Sequence, residues 1–363
     1  MYIQRVSLVG FRNLEQMDME LKNGMNIFSG DNAQGKTNFL ESLYICATGR
    51  SPRTRNDSQL VRFGEKESHI QVFVQKENRA DRIDVHLKRD EKKGVAVNGI
   101  PVRKLGDLFG TLYAVIFSPE DLNLIKNGPG ERRRFLDLEL CQLSNVYYYD
   151  LQQYYRILRQ RNFLLKEIQK KPNLQDTLFV WDDQLVQFAT RMISARRDFL
   201  EKLNEISSEK LWRLTGGKDR LKIEYKPNCE EPFLAERLKK NLRRDIFAGT
   251  TQTGPHKDDI LFFINGNDVK TYGSQGQQRT TALATRLAEI ELIREETGQQ
   301  PILLLDDVLS ELDEKRQNFL MESISGMQTI LTCTGIEDAV KKYLQDGYVF
   351  QVEKGKIKRV NEK

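Results

Sequence analysis

The sequence predicts an α/β domain interrupted by a mostly helical insertion. Three observations carry this reading. A short apolar run from Met25 to Ser29 ends at glycine, and Phe39, Leu40, Leu43 and Tyr44 then follow with helical spacing. A second apolar run, Ile302 to Leu305, ends in two aspartates far downstream. Between them, from Glu131 to about Leu214, almost every residue fits a helix.

The elements follow in order. Tyr2 to Val9 alternates as a strand does, and Thr37 to Thr48 reads as a helix. Strand-like runs come at His69 to Val74, Arg82 to Leu87, Val95 to Asn98 and Leu112 to Phe117. The character changes after Ser118-Pro119. Leu178, Trp181, Leu185, Phe188, Met192 and Ala195 step by three or four residues, the seam of a helix packed along a partner. Leu151, Tyr155, Leu158, Leu165 and Ile168 give a second stripe, and Lys171-Pro172-Asn173 supplies the turn of an antiparallel hairpin. Alternation of strand and helix returns near Thr253, with a strand at Ile260 to Ile264 and a helix from about Gln277 to Glu296. A strand at Thr329 to Thr332 and a hairpin about Lys354-Gly355-Lys356 close the pattern. The expected division is a discontinuous domain, 1–117 with 246–363, and a helical lobe over 118–245.

Composition bounds the partners. Of 363 residues, 57 are Lys or Arg and 52 are Asp or Glu, a net charge of +5. That balance is too mild to indicate nucleic acid by itself, so local clusters must carry the argument. Cys46, Cys141, Cys229 and Cys333 have no metal-ligand spacing, which points to reduced thiols. No apolar run approaches membrane-spanning length and no signal peptide is visible, so a cytoplasmic protein is expected, with no membrane partner.

Gly30-Asp31-Asn32-Ala33-Gln34-Gly35-Lys36-Thr37 fits the phosphate-binding loop pattern. The glycines let the backbone curl so that its N–H groups face phosphate oxygens, and a helix opening near Gly35 adds its positive end. Lys36 reaches the β- and γ-phosphates of ATP, and the Thr37 hydroxyl ligates Mg²⁺. The apolar strand before Asp306 and Asp307 delivers carboxylates to the edge of an α/β sheet where ligands bind. Asp306 is expected to hold the magnesium through water, and Asp307 to orient or deprotonate an attacking water. A third segment, Gly273-Ser274-Gln275-Gly276-Gln277-Gln278-Arg279, precedes a helix. It is either an ordinary cap with Ser274 as the capping residue or a second anion site in which Ser274, Gly276 and Gln277 meet the γ-phosphate held by another copy.

These elements in this order resemble the ATP-binding heads of the ABC and SMC class, with Asp313 similar to the residue that follows the acidic strand there. Thr253-Gly254-Pro255-His256-Lys257-Asp258-Asp259, Phe117-Ser118-Pro119-Glu120-Asp121-Leu122, Arg132-Arg133-Arg134-Phe135-Leu136-Asp137 and Gly49-Arg50-Ser51 are similar to segments of the RecF family. The resemblance spans nearly the whole chain. It implies an ABC-type ATPase head with an inserted helical lobe and no long coiled coil. It also implies an ATP-dependent homodimer that clamps DNA at single-strand gaps, helps load a recombinase and works with RecO- and RecR-type partners. A transporter-type ATPase subunit and a small-molecule kinase are the alternatives. The first is disfavoured by Thr332-Cys333-Thr334 where transporters place a switch histidine, the second by the third segment. Asp307 stands where transporters use glutamate, one methylene longer. Slow hydrolysis is therefore expected, with nucleotide acting as a switch.

Basic clusters offer DNA contacts or merely solvated faces: Arg50, Arg53, Arg55 and Arg62; Arg132 to Arg134; and Arg237, Lys239, Lys240, Arg243 and Arg244. Arg132 to Arg134 equally suit pinning the lobe or reaching ATP. Tyr147, Tyr148, Tyr149, Tyr154 and Tyr155 either stack on unpaired bases or pack the lobe. His256 sits near the nucleotide or caps local structure.

Overall fold

The computed structural model describes residues 1–335 and 347–360. Strands β1 (Tyr2–Phe11) and β2 (Leu14–Glu20) form a hairpin, and β3 (Met25–Ser29) leads through a loop into α1 (Lys36–Thr48). Then come β4 (Glu67–Gln75), β5 (Ala80–Lys88), β6 (Gly94–Val97), β7 (Ile100–Pro101) and β8 (Ala114–Phe117). Helices α2 (Leu122–Lys126), α3 (Pro129–Leu143), α4 (Asn145–Ile168) and α5 (Phe179–Leu214) follow. Next are β9 (Leu221–Lys226), α6 (Leu234–Ala248), β10 (Asp259–Ile264), β11 (Asn267–Asp268), α7 (Val269–Tyr272) and α8 (Gln275–Thr297). The chain continues through β12 (Ile302–Asp306), α9 (Glu314–Ser323), β13 (Thr329–Cys333), β14 (Tyr348–Glu353) and β15 (Lys356–Arg359). Among the described residues no helix is long and apolar enough to cross a membrane.

The chain divides into two compact units, 1–121 with 286–363, and 122–285. The first holds two six-stranded sheets, ordered β2-β1-β4-β5-β6-β7 and β15-β14-β3-β13-β12-β8. In the second of these, β14, β3, β13, β12 and β8 run parallel, so their C-terminal ends share one edge. Ile302, Leu303, Leu304 and Leu305 are wholly buried, each burial stabilising the fold by about 1.5–3 kcal/mol. Parallel strands covered on both faces read as unbroken apolar runs, which is why β12 was visible in the sequence.

The second unit is built on the expected hairpin. Arg191 pairs with Asp150, Arg161 with Asp182, and Arg196 with Tyr147, so residues later on α5 meet residues earlier on α4, as antiparallel helices require. One strand of this unit, β9, lies in the stretch read only as the end of the helical region. It pairs with β10 over Leu221 to Lys226, in a three-stranded sheet with β11. That pairing draws residues 246–285 into the same unit as the helices, whereas the sequence reading ended the lobe at 245. The physical reason is non-local: β10 looks like part of the returning α/β pattern until its partner strand is known.

Within this unit the segments resembling RecF converge on Arg196, whose side chain is fully buried. Its guanidinium donates to the Pro255 carbonyl at 2.7 Å, Asp258 Oδ2 at 2.8 Å, Asp137 Oδ1 at 2.7 Å and the Tyr147 hydroxyl at 3.0 Å. His256 is tied in beside it. Its Nε2 lies 3.0 Å from the Thr251 carbonyl, which only accepts, so Nε2 carries the proton and Nδ1 accepts from the Tyr154 hydroxyl at 2.6 Å. Burial pushes the imidazole down to about 4, so the ring is neutral at physiological pH. Of the two readings of His256, the capping role is the one these contacts fill.

Candidate functional site

The C-terminal edge of the parallel sheet collects the predicted residues of the first unit. The loop from Gly30 to Gly35 leaves β3 and returns its chain into α1. A Cβ on Gly30 would lie 2.2 Å from the Val352 carbonyl oxygen, so β14 leaves room for glycine only. Gly35 has φ 116°, a left-handed value, and Ala33 has φ 64°. Alternation of this kind turns successive N–H groups to one side and makes an anion-binding concavity. Gly35 is also the N-cap of α1, with no side chain capping it, so the first-turn N–H groups and the helix dipole face the loop.

Neighbouring segments hold the loop in shape. The Gly355 N–H donates to the Gln34 carbonyl at 3.0 Å, and the Lys354 N–H donates to Gln34 Oε1 at 2.6 Å. On the other side Asn38 Nδ2 donates to Asn13 Oδ1 at 2.8 Å. Arg12 forms a bidentate pair with buried Glu41 of α1, both contacts at 2.9 Å, and the Ser51 hydroxyl donates to the same carboxylate at 2.6 Å. None of Arg12, Asn13 and Glu41 stood out in the sequence. A carboxylate among the apolar positions of a short helix was the available signal.

Lys36 is 6% exposed and its ammonium donates to the carbonyls of Gly30 at 2.5 Å and Asp31 at 2.9 Å. The tip is thus folded over the concavity with backbone partners only. The Thr37 hydroxyl donates to Asp306 Oδ1 at 2.9 Å, joining residues 269 positions apart. Burial pushes the Asp306 carboxyl up, while hydrogen bonds from Thr332 and Thr37 pull it back. Asp307 takes φ 51°, a conformation aspartate tolerates better than most residues, and its N–H donates to the carbonyl and hydroxyl oxygens of Thr332.

Thr332 is the residue that sequence reasoning placed by position alone. Its hydroxyl donates to Asp306 Oδ1 at 2.8 Å and accepts from the Asp307 N–H at 3.1 Å. It therefore sets the carboxylate of one aspartate and the backbone of the next. Thr332→Val, which keeps the shape and removes the hydroxyl, is expected to raise the Mg²⁺ concentration needed for half-maximal nucleotide binding by about tenfold, the equivalent of one hydrogen bond near a charge. Thr332→Ser should restore it. A titration of nucleotide affinity against Mg²⁺ reads both.

A polyphosphate fits this site: N–H groups, a helix N-terminus and an ammonium converge, with a hydroxyl and a carboxylate beside them. Thr37 and Asp306 are the groups that would hold a magnesium ion. Of the other predicted residues, Arg53 borders the site. Arg53 donates to Asn38 Oδ1 at 3.0 Å, next to Thr37, rather than standing free on the surface. Arg132 is buried and pairs with Asp259 at 2.6 and 3.1 Å, pinning α3 to β10. Tyr147 and Tyr154 are core residues, whereas Tyr149 and Tyr155 are exposed. Asp313 accepts from the Arg316 N–H and caps α9.

In the second unit Ser274 and Gln277 form a reciprocal cap at α8. The Gln277 N–H donates to Ser274 Oγ at 3.2 Å, and the Ser274 N–H donates to Gln277 Oε1 at 3.1 Å. The serine oxygen accepts here, so its O–H is left to donate outward. Capping and anion binding are therefore compatible at this serine.

Comparison with known proteins agrees with this geometry. The family described as RecF/RecN/SMC N terminal domain matches residues 2–357. The DNA replication and repair protein RecF of Agathobacter rectalis is 48% identical, and that of Lachnospira eligens 50%, each aligned over the full length of both chains. The chain belongs to the RecF family. A solved structure of the recombination mediator protein RecF with ATP, from the RecFOR pathway, superposes with a TM-score of 0.93 at 35% identity, covering 99% of this chain and 98% of that one. An Smc head bound to the C-winged helix domain of ScpA superposes at 0.57 with 16% identity, which speaks for a shared head fold alone. The RecF fold thus accounts for both the loop at the sheet edge and the inserted helical unit.

Proposed function

We propose that this RecF-family chain is an ATP-switched DNA-binding protein of replication and recombinational repair. The observation that carries the reading is the junction of Thr37 with Asp306 beneath an uncapped helix N-terminus and the Lys36 ammonium. The concavity would take the phosphates of ATP, and Thr37 and Asp306 would hold a magnesium ion, which would neutralise phosphate charge. Two copies pair so that the outward Ser274 hydroxyl of each, with Gly276 and Gln277, completes the other's site. Closure brings cationic surface onto DNA with little regard for sequence. RecO- and RecR-type proteins are the partners.

Asp307 is the general base for the attacking water, and its short side chain makes turnover slow. General-base terms are worth about 10²–10⁴-fold, so a base out of reach leaves ATP bound for long periods. Binding then closes the clamp and hydrolysis resets it.

Light scattering tests the shared site. The parent is expected to be a monomer with Mg²⁺ and a dimer with Mg·ATP. Ser274→Arg, which places a bulky cation where the partner's nucleotide would lie, is expected to stay monomeric while still binding ATP. A mass that ignores ATP would overturn the clamp.

A further inference from the structure

Among the described residues the three buried arginines are committed to structure: Arg132 to Asp259, Arg161 to Asp182 and Asp245, Arg196 to Asp137 and Asp258. Two helix faces of the second unit are different. On α4, Tyr155, Arg156, Arg159, Phe163 and Lys166 lie within one stripe and all are exposed. The acids of α4 are Asp150, which is buried and held by Arg191, and Glu167 in the last turn, which pairs with Lys170. On α6, with Phe233 just ahead of it, Phe233, Arg237, Lys240, Arg244 and Phe247 step by three or four residues, and all are exposed. Glu236 is the exposed acid near the start of that helix.

The rings are unusually bare. Phe247 is 89% exposed, Phe163 64% and Phe233 59%. The two helices adjoin near their C-terminal ends. Gln169, just past α4, donates to the Phe247 carbonyl at 3.1 Å, and a Cβ on Gly249 would touch Lys166 Cγ at 3.0 Å. The exposed stretch runs about 17 Å on α4 and about 21 Å on α6, enough for roughly five to six nucleotides at ~3.4 Å each.

We propose that this α4–α6 face binds single-stranded nucleic acid, with the rings stacking on unpaired bases and the cations meeting the phosphates. The proposal rests on the DNA-binding reading above and assigns it a surface and a strand state. Cations alone would suit a duplex equally. A duplex keeps its base faces stacked inside and offers nothing to phenyl rings, whereas an unpaired strand offers both a π-face and a phosphate at each step. The scarcity of acids across the face favours a polyanion over a protein surface of mixed charge.

The test is fluorescence anisotropy on the full-length chain with labelled dT15 and with a 15-base-pair duplex, each with Mg·ATP. Phe163→Ala and Phe247→Ala are expected to weaken dT15 binding roughly 5- to 100-fold each and to leave duplex binding within about twofold. Arg156→Gln with Arg159→Gln should lower the slope of log affinity against log salt for dT15 by about 0.7 per cation removed. Both phenylalanines are solvent-facing, and an unchanged melting temperature would show that the variants fold. Ring variants that bind dT15 as the parent does would overturn the proposal. So would ring variants that keep DNA affinity and lose a protein partner, which would make the face a protein dock. A parent that binds neither oligonucleotide would sink the DNA-binding reading itself, and this proposal with it.

Discussion

Lys36→Met is expected to lose at least about 100-fold in ATP affinity. The ammonium makes charge-assisted hydrogen bonds to the phosphates, each worth about 1.5–3 kcal/mol, and methionine supplies none. The substitution keeps the length of the side chain, so the fold should hold. The lysine tip bonds the Gly30 and Asp31 carbonyls, which water can serve instead in the variant. Differential scanning fluorimetry over a range of Mg·ATP concentrations reads the effect. The parent's melting temperature should climb with nucleotide, since a ligand that binds only the folded state stabilises it by about 2.7 kcal/mol at a hundred times its dissociation constant. The variant's should stay flat over the same range and match the parent's without nucleotide. A variant that climbs in parallel with the parent would remove this loop from the nucleotide site.

The second large effect concerns stability. Arg196→Met should destabilise the unit formed by residues 122–285 by about 3–5 kcal/mol, because it leaves Asp137 and Asp258 without their cation. Asp258 is buried and would retain the Tyr225 hydroxyl and the Asn228 N–H, which do not balance its charge. Arg196→Lys should recover little, since one ammonium cannot reach the Pro255 carbonyl, both carboxylates and the Tyr147 hydroxyl from their fixed directions. Urea unfolding followed by tryptophan fluorescence suits the measurement, because both tryptophans, Trp181 and Trp212, lie on α5. A midpoint unchanged in Arg196→Met would mean the network contributes specificity and no net stability.

The two predictions mark different degrees of legibility. The loop from Gly30 to Thr37 could be read because its eight residues are contiguous and four of them, the two glycines, Lys36 and Thr37, match the fixed positions of a phosphate-binding pattern. Asp306 could be read once the loop was known, since the unbroken apolar run before it announces a parallel strand buried on both faces. Arg196 could not be read. Its partners lie as far as 62 positions away, and an arginine on a helix looks the same in sequence whether it is solvated or buried. Thr332 was similarly hidden, because a threonine at the end of a β-rich run is ordinary. Only the parallel register that sets Asp306 opposite Thr332 gives its hydroxyl a role. The segment from Thr253 to Asp259 was noticed through resemblance, and the structure gives two of its residues a common partner, since the Pro255 carbonyl and the Asp258 carboxylate both accept from Arg196.

By itself the sequence determined the α/β class, the helical insertion, the glycine-bounded loop ahead of α1 and the acidic end of β12. All of these are written in contiguous residues whose spacing or chemistry is local. Tertiary structure alone decided that β9 pairs with β10 and so moves residues 246–285 into the second unit. It also decided that Thr37, Asp306 and Thr332 share one hydrogen-bonded cluster, and which arginines are buried struts and which face solvent. The physical reason is the same in each case. Pairing and burial depend on which distant residue occupies the other side of a contact, and that partner is chosen by the packing of the whole chain.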